Sequence, residues 1–361
     1  MNKIKPIAIH LPQFHPFPEN DKWWGKGFTE WTNVTKAKPL FEGHYQPHLP
    51  SDLGFYDLRL EEARLAQEAL AKEYGIFGFC YYHYWFNGKR LMNEPVDRKL
   101  KNIKEDFPFM LCWANENWTR AWDGKDNEVL IAQKYNLEDD AAHIRYLLTN
   151  VFNDSRYIRV EKKIFFAIYR PANFPNLEKT INLWRKIARE EFQEEFFLAY
   201  ITHLTFNDNE NTKLFDVAID FQPNYNLKLD VKIPNYKERV ERKFFGKRTF
   251  LFDNRVITYK DFSQKAFNSQ VFDKGIFPGI TPMWDNSARR TENALVIDGS
   301  TPELYGTWLE NIINRYRMIE SDEKYVFINA WNEWAEGNHI EPCQKWGRRY
   351  LEVTKEKFDN Q

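Results

Sequence analysis

Eight short runs of apolar, β-branched or aromatic residues recur along almost the whole chain of 361 residues. Most of them are continuous rather than alternating in polarity, which is typical of strands buried on both faces of a parallel sheet. The runs are Pro6–His10, Ile76–Tyr82, Pro108–Trp113, Ile164–Tyr169, Phe196–Ile201, Val217–Phe221, Phe277–Pro282 and Tyr325–Ala330. The pattern therefore predicts eight buried strands.

Stretches with helical periodicity separate most of these runs. They are Asp57–Tyr74, Leu137–Phe152, Leu177–Phe192 and Pro302–Ile319. Gly75 follows the first stretch, where a C-terminal cap belongs, and Pro302 opens the last, a good helix start. Strands that alternate with helices predict an α/β fold, a (β/α)8 TIM barrel that occupies residues 1–361 as one catalytic domain. An open doubly wound sheet is the alternative, which the lack of a Gly-rich dinucleotide turn in the sequence disfavours.

Two connections are too long to be simple linkers. Leu11–Tyr56 follows the first strand and is rich in Trp, Phe and His, whereas Gln222–Gly275 follows the sixth strand and is locally basic. Both are expected on the carboxyl side of the strands, the catalytic face of such barrels. The pattern does not fix where Gln13 and the turn Thr29-Glu30-Trp31 lie. The basic connection 223–275 is interpreted first as a solvated surface segment, with a lid or a contact to an anionic glycan or lipid-linked acceptor as alternatives.

Composition excludes several classes of protein. With 51 basic and 52 acidic side chains the formal net charge is −1, so no general attraction to nucleic acid or to an anionic membrane is expected. No apolar run approaches the ~18–20 residues of a membrane-spanning helix. The N-terminal apolar stretch is too short for a signal peptide, so we predict a cytoplasmic chain or one already trimmed. Cys80, Cys112 and Cys343 are expected to be buried thiols rather than a disulfide framework.

Polar and aromatic side chains follow the predicted strands. Sugar rings stack their apolar faces on Trp or Tyr, and their hydroxyls need fixed donors and acceptors, so such strand ends favour a carbohydrate site. The candidate substrate-binding residues are His10, Tyr82, His83, Trp113, Asn115, Glu116, Tyr169, Arg170, Trp284, Asn286, Asn332 and Trp334. Core packing of the tryptophans and helix capping by Asn115 are the alternatives.

Glu333 and Glu336 follow the eighth strand and give the strongest signal. Three residues apart, they project from one side of a turn or first helical turn. Cleavage of a glycosidic bond needs two carboxyl groups, and mutual repulsion raises the pKa of one, as a general acid at neutral pH requires. The pair is therefore predicted to be catalytic. Acidic residues that merely complement a helix dipole are the alternative.

Metal and cofactor sites are not predicted. His10, His83 and His203 stand at strand ends, but the sequence contains no HExxH and no CxxC, which favours hydrogen bonding to sugar over metal binding. It also contains no Asp-x-Asp, P-loop or GxGxxG motif.

The segment NAWNEWAEGNHIEP, Asn329–Pro342, resembles the catalytic motif of glycoside hydrolase family 99. It resembles still more closely the family-99-like proteins labelled WbsX, found among polysaccharide-biosynthesis proteins. The segments that carry the same resemblance are His10–Pro16, Trp23–Val34, Tyr81–Phe86 and Cys112–Gly124. The resemblance implies a (β/α)8 barrel and retaining chemistry on α-mannoside-like linkages.

The resemblance also implies residue roles. Glu333 would act as base toward the sugar 2-hydroxyl, which attacks the anomeric carbon to give a 1,2-anhydro sugar. Glu336 would be the acid and then the base for the incoming water. WbsX members are commonly described as glycosyltransferases, so transfer in cell-surface polysaccharide synthesis stays open beside hydrolysis, as does a catalytically silent glycan-binding barrel. The expected partner is an oligo- or polysaccharide, and no oligomeric state is predicted.

The chain is 17 % aromatic, and two populations are expected. Phenylalanines lie within the strand-like runs and are predicted to form the core. Tryptophans lie mostly beyond the strands, where sugar rings would stack. These are Trp23, Trp24, Trp31, Trp85, Trp113, Trp118, Trp122, Trp284, Trp331 and Trp334.

Overall fold

The computed structural model describes residues 3–120, 125–202, 209–224, 227–246, 249–290 and 292–361. Within these residues nine parallel strands form a nearly closed barrel. They are β1 Lys5–His10, β2 Gly78–Phe86, β3 Phe109–Trp113, β4 Lys163–Ile168, β5 Phe196–Ile201, β6 Val217–Ile219, β7 Ile276–Phe277, β8 Gly279–Ile280 and β9 Tyr325–Ile328. Hydrogen-bonded neighbours follow the order β7-β6-β5-β4-β3-β2-β1-β9-β8.

The barrel closes because β1 pairs with β2 on one side and with β9 on the other. β7 pairs with β6, and β8 pairs with β9. Only Pro278 separates β7 from β8, so the two segments fill the seventh position, and the single seventh strand expected from the sequence is interrupted. Proline has no N–H to give to a strand ladder. The predicted (β/α)8 barrel is confirmed, and the open doubly wound sheet is excluded.

Helices alternate with the barrel strands. The α-helices of the described chain are Pro18–Trp24, Glu30–Lys36, Glu61–Glu73, Glu94–Lys101, Leu137–Asn150, Leu177–Phe192, Asn209–Thr212, Tyr236–Phe245, Tyr259–Ser269, Pro302–Tyr316 and Arg349–Asp359. The helix predicted from Asp57 begins only at Glu61. Asp57 accepts hydrogen bonds from the backbone and guanidinium of Arg59, and this local turn competes with a helical start.

Short helices and strands lie in the connections between the barrel elements. The first long connection contains the helices Pro18–Trp24 and Glu30–Lys36, and the second contains Tyr236–Phe245 and Tyr259–Ser269. The remaining strands are Lys89–Leu91, Trp118–Arg120, Lys125–Ile131, Arg159–Val160, Arg255–Thr258, Trp284–Asp285, Leu295–Asp298, Asn332–Glu333 and Asn338–His339. Single 3-10 turns cover Pro171–Asn173, Phe250–Phe252, Asn286–Ala288 and Trp334–Glu336.

One continuous apolar core runs through the barrel and out to its helices. Phenylalanine supplies much of it, as predicted; Phe165 and Phe277 pack with Tyr325 and Phe327 at ring distances of 5.2–6.3 Å. The three cysteines are buried and free. Among the described residues, no helix combines the length and the apolar composition of a membrane span.

Candidate active site

A cavity of about 370 Å³ opens at the carboxyl end of the barrel. In a barrel of this kind the residues that follow the strands form such a cavity, which is where TIM-barrel enzymes hold their chemistry. Its aromatic walls are Tyr82, Tyr84, Phe86, Trp118, Tyr169, Phe221 and Trp284. Glu333, Glu336 and Arg289 supply charged groups to the same cavity.

The two glutamates lie on a tight hairpin after β9. Asn332–Glu333 pairs with Asn338–His339 in antiparallel register, and a 3-10 turn, Trp334–Glu336, joins them. Gly337 ends the turn with a φ of 54°, and a Cβ there would lie 2.9 Å from Asp285 Cβ. Glycine is required at this position for both reasons. The hairpin directs both carboxylates toward one side, as the three-residue spacing predicts.

Arg289 holds the two carboxylates together. Its Nη1 donates to Glu336 Oε1 at 2.8 Å, and its Nη2 lies 3.3 Å from Glu333 Oε2. Because both nitrogens belong to one planar guanidinium, the contacted oxygens lie within ~9 Å of each other. That separation is compatible with two carboxyl groups that flank one glycosidic bond.

Glu30 is a third carboxylate on the same guanidinium. Its Oε1 accepts from Arg289 Nη2 at 2.6 Å and from the backbone N–H of Ala335 at 3.0 Å. The Glu30 side chain is fully buried. Glu30 thus fixes Arg289 and the turn between the two glutamates at the same time.

Burial dominates the electrostatics of this cluster. It raises the pKa of Glu333 well above the ordinary value, and the charge of Glu336 adds to this while Arg289 opposes it. Burial also raises the pKa of Glu336, again against the pull of Arg289. Burial disfavours the charged Arg289, but the three carboxylates outweigh it and raise its pKa. The cluster therefore keeps Arg289 charged and favours a proton on one of the glutamates.

A second ion pair stands at the cavity wall. Arg170 Nε donates to Glu116 Oε1 at 2.6 Å, and the Arg170 guanidinium lies over the ring of Tyr169. Both side chains of the pair are partly exposed, so they are accessible to a ligand. Of the predicted residues, the structure brings Tyr82, Glu116, Tyr169, Arg170, Trp284, Glu333 and Glu336 to this cavity.

Three other predicted residues are buried behind the site. His10 Nε2 lies 3.2 Å from Gln67 Oε1. Asn332 accepts from the backbone N–H of Leu11 at 2.8 Å and so ties the hairpin to the end of β1. Trp334 stacks on His339 at 3.7 Å and donates to Glu341 at 2.6 Å.

Four more predicted residues hold neighbouring elements together. Asn115 accepts from the backbone N–H of Arg170 at 2.7 Å, and Asn286 accepts from that of Leu295 at 2.8 Å. His83 Nε2 lies 2.8 Å from His143 Nε2, and Trp113 packs on His143 and Trp184. None of these four side chains lines the described part of the main cavity.

The expected separation of tryptophans from the core is wrong for several positions. Trp85, Trp113, Trp331 and Trp334 are buried in the apolar core although they follow strand-like runs. Layers of residues below the cavity must also be filled, and large rings fill them. Trp118 and Trp284 do line the cavity. Trp122 and His203 lie outside the described residues.

Sequence reasoning missed Arg289 and gave Glu30 no role. Arg289 could have been found from sequence, because two adjacent arginines, Arg289-Arg290, stand shortly after the seventh strand and two close carboxylates need a cation nearby. Glu30 carried no comparable signal because its partner lies 259 residues away. Across the described ranges, no group of three or more His, Cys, Asp or Glu side chains is arranged to hold a metal ion.

The fold and the site define a (β/α)8 barrel with paired carboxylates at its carboxyl end, and solved structures share this fold. The GH99 endo-alpha-mannosidase from Bacteroides thetaiotaomicron matches with a TM-score of 0.55 and 14 % identity, over 98 % of this chain and 96 % of that one. A "Glycoside hydrolase-like protein" matches with a TM-score of 0.59 and 14 % identity, over 99 % and 94 %.

The chain belongs to the family described as "Glycosyltransferase WbsX", whose model matches residues 6–354. A protein described as "Uncharacterized protein WxcX" from Xanthomonas campestris pv. campestris strain B100 is 40 % identical over 351 residues, 97 % of this chain and 49 % of that protein. Its counterpart in a second strain of the same pathovar is 38 % identical. The chain thus spans about half the length of the curated relatives it matches.

Proposed function

We propose that this chain is a carbohydrate-active enzyme that cleaves or transfers an α-mannoside-like unit of an oligo- or polysaccharide. One observation carries the proposal. Glu333 and Glu336 share the Arg289 guanidinium at a cavity with aromatic walls, at the catalytic end of the barrel. Two carboxyl groups, one of them protonated, are what glycosidic chemistry needs.

The proposed reaction has two steps. In the first, Glu333 takes the proton of the sugar 2-hydroxyl, the freed oxygen attacks the anomeric carbon, and the glycosidic bond breaks as Glu336 protonates the leaving oxygen. A 1,2-anhydro sugar results. In the second, Glu336 takes a proton from water or from an acceptor hydroxyl, which attacks the anomeric carbon and opens the ring, and Glu333 returns its proton to the 2-oxygen. Two inversions give net retention.

The charges of the site support a pair that contains one acid and one base. Burial and the charge of Glu30 raise the pKa of both glutamates, and the charge of Glu336 raises that of Glu333 further, so that the pair holds a proton under conditions where free glutamate has lost it. One carboxyl can then act as acid while the other acts as base. Arg289 compensates the charge of the ionised member and would keep the pair oriented while the proton moves.

The walls of the cavity fit a sugar. Tyr82, Tyr84 and Trp284 offer rings for the apolar face of a pyranose, and Glu116 with Arg170 offers acceptors and donors for hydroxyls. We propose these as substrate contacts. The buried residues His10, His83, Trp113, Asn115, Asn286, Asn332 and Trp334 would act on substrate only through the positions of their neighbours.

Glycosyl transfer is the second candidate, favoured by the family description "Glycosyltransferase WbsX". The same site transfers a glycosyl unit when a sugar hydroxyl replaces water in the second step. Exclusion of water from the closed complex decides between these outcomes.

The test uses purified protein with aryl α-mannosides and α-mannosyl fluoride, with and without mannose oligosaccharides as acceptors, and mass spectrometry of the products. We expect free sugar or an elongated acceptor from the wild type. Glu333→Gln and Glu336→Gln should each lower the rate by ~100-fold or more, because each removes an acid or base. Glu320→Gln, an exposed acid just before the amino end of β9 and so at the opposite end of the barrel from the site, is the matched control. Saccharide binding with no turnover by any form would instead support the silent glycan-binding barrel.

A further inference from the structure

The helix Tyr236–Phe245, in the connection after β6, buries none of its side chains. Residues four apart share one face of a helix, and here these positions hold Tyr236, Val240 and Phe244. Tyr236 is 83 % exposed and Phe244 69 % exposed. Large rings at such exposure contribute little to the core, so this apolar stripe needs another explanation.

Basic side chains flank the stripe. At 100° per residue, Lys237 and Lys243 project on either side of it, Glu238 projects from the opposite side, and Glu241 lies next to Lys237, about 100° from the centre of the stripe. Lys237 is 85 % exposed and lies 4.0 Å from Glu241. The helix therefore presents an apolar stripe with a positive border.

The surrounding sequence strengthens this charge. Residues 228–248 hold eight Lys and Arg against three Asp and Glu, in a chain whose formal net charge is −1. Ile233, just before the helix, is 66 % exposed, and Phe245 at its end is 81 % exposed. The neutral total thus conceals one segment that is both strongly basic and unusually apolar at its surface.

One contact from the face opposite the apolar stripe, and one from the residues just before the helix, hold the helix near the cavity. The Arg242 guanidinium lies 4.5 Å from the ring centre of Phe252, and Lys232 Nζ lies 4.7 Å from that of Phe41 in the first long connection. The segment leaves the barrel at Phe221, which lines the cavity. The helix is therefore attached at the carboxyl end of the barrel, with Tyr236 and Phe244 of its apolar stripe exposed and Val240 half-buried.

We propose that the helix Tyr236–Phe245 docks this protein on an anionic lipid surface. Tyr236 and Phe244 insert among the headgroups, and Lys237 and Lys243 contact lipid phosphates. A helix with an apolar face and a basic border, lying in the plane of the interface, is the form that binds such surfaces. The exposed rings of Tyr236 and Phe244 fit an apolar layer beneath a charged one better than they fit a polyanion alone.

The test is sedimentation of the purified full chain with vesicles of phosphatidylcholine, with and without phosphatidylglycerol. We expect binding only when phosphatidylglycerol is present, and loss of binding as salt rises. The double variant Tyr236→Ser/Phe244→Ser should weaken the partition constant about 10-fold or more, since two rings no longer leave water. Lys237→Gln/Lys243→Gln should weaken it by a similar factor.

The control variant is Ile103→Ser/Met318→Ser. These side chains are 91 % and 67 % exposed, but they lie in connections that enter strands, at the opposite end of the barrel. We expect wild-type binding from it, and circular dichroism confirms that every variant is folded.

The proposal fails if the wild type stays in the supernatant with anionic vesicles, or if the stripe variant binds as tightly as the wild type. Retention on immobilised dextran sulfate without vesicle binding would point to a polyanionic glycan and also overturn it. No saccharide substrate is present in this assay, so its failure leaves the proposed enzymatic function untouched.

Discussion

Glu30 lies 259 residues before Arg289 in the sequence, yet their side chains meet at 2.6 Å. Through this contact Glu30, in the connection after β1, positions the Arg289 guanidinium. That guanidinium in turn binds the two glutamates that follow β9. The negative charge of Glu30 also raises the pKa of both Glu333 and Glu336. The proton of the proposed acid thus depends on a residue that need not touch substrate.

Glu30→Gln should shift the pH–rate profile to lower pH. Removal of one negative charge lowers the pKa of both glutamates, and Arg289, released from Glu30, pairs more strongly with them, which acts in the same direction. The acid then loses its proton earlier as pH rises. The measurement is kcat/KM against pH on the donor that the wild type turns over, with Glu320→Gln as control; an alkaline limb that stays in place or moves upward contradicts this.

Glu341 should make stability depend on pH. Burial raises its pKa to about 7, although Trp334, Gln67 and Tyr56 donate hydrogen bonds to the carboxylate and oppose the rise. Below the ordinary value of 4.5 the folded and unfolded chains are both protonated and stability is intact. Between pH 4.5 and about pH 7 the Glu341 carboxyl is ionised in the unfolded chain but still protonated in the folded one. The free energy of unfolding therefore falls by at most ~3 kcal/mol across this range.

Glu341→Gln removes this titration, and we expect a shallower fall of Tm from pH 5 to pH 8. Thermal unfolding followed by circular dichroism at several pH values measures the slope. A slope equal to that of the wild type would mean that Glu341 keeps an ordinary pKa in the folded chain.

At the scale of elements, a buried ion pair joins the helices Glu61–Glu73 and Glu94–Lys101. Lys99 Nζ donates to Glu68 Oε1 at 2.6 Å and to the carbonyl of Glu105 at 3.1 Å. Both charged side chains are nearly inaccessible to water. Removal of one partner leaves the other charge buried without compensation.

Lys99→Met should therefore lower the free energy of unfolding by ~3–5 kcal/mol, whereas Lys99→Met/Glu68→Met should recover most of the loss. The exposed pair Lys104–Glu61 joins the helix Glu61–Glu73 to the residues after Glu94–Lys101, and Lys104→Met should change stability far less than Lys99→Met does. Urea unfolding midpoints measure all three. A double variant no more stable than Lys99→Met would show that packing, not charge, dominates at this contact.

At the scale of the whole molecule, barrel closure couples the two ends of the chain. β1 is paired on both sides, with β2 and β9, so it is an interior strand. Near the termini, Gln361 exchanges two hydrogen bonds with the backbone of Ile4. The hairpin that carries Glu333 and Glu336 depends on this closure because Asn332 binds the backbone of Leu11 just after β1.

A chain that begins after His10 should lose the native fold, since two strand edges and an apolar interior would be exposed to water. A chain that lacks only Gln361 loses two hydrogen bonds and should keep it. Size-exclusion chromatography and near-ultraviolet circular dichroism distinguish the two outcomes. A cooperative thermal transition in the chain without β1 would contradict the dependence on closure.

The order of elements and the proximity of Glu333 and Glu336 could be predicted from sequence because both are local signals. Continuous apolar runs mark strands buried on both faces, and the ExxE spacing places two acids on one side of a turn. Polar and aromatic residues at the strand ends were less reliable predictors of which side chains line the cavity. Asn115, Asn332 and Trp334 look like ligand-binding residues in sequence, but they bind the backbone or core groups of neighbouring elements.

The sequence by itself determined the (β/α)8 class, the position of Glu333 and Glu336 after the last strand, and the family to which the chain belongs. Only the tertiary structure decided which side chains share a cavity, that Arg289 and Glu30 surround the acids, and that the exposed apolar stripe lies on the basic helix. The physical reason is the separation along the chain over which each effect acts. Hydrophobic periodicity acts between residues a few positions apart, whereas charge pairing and burial depend on which distant segments the closed barrel brings together.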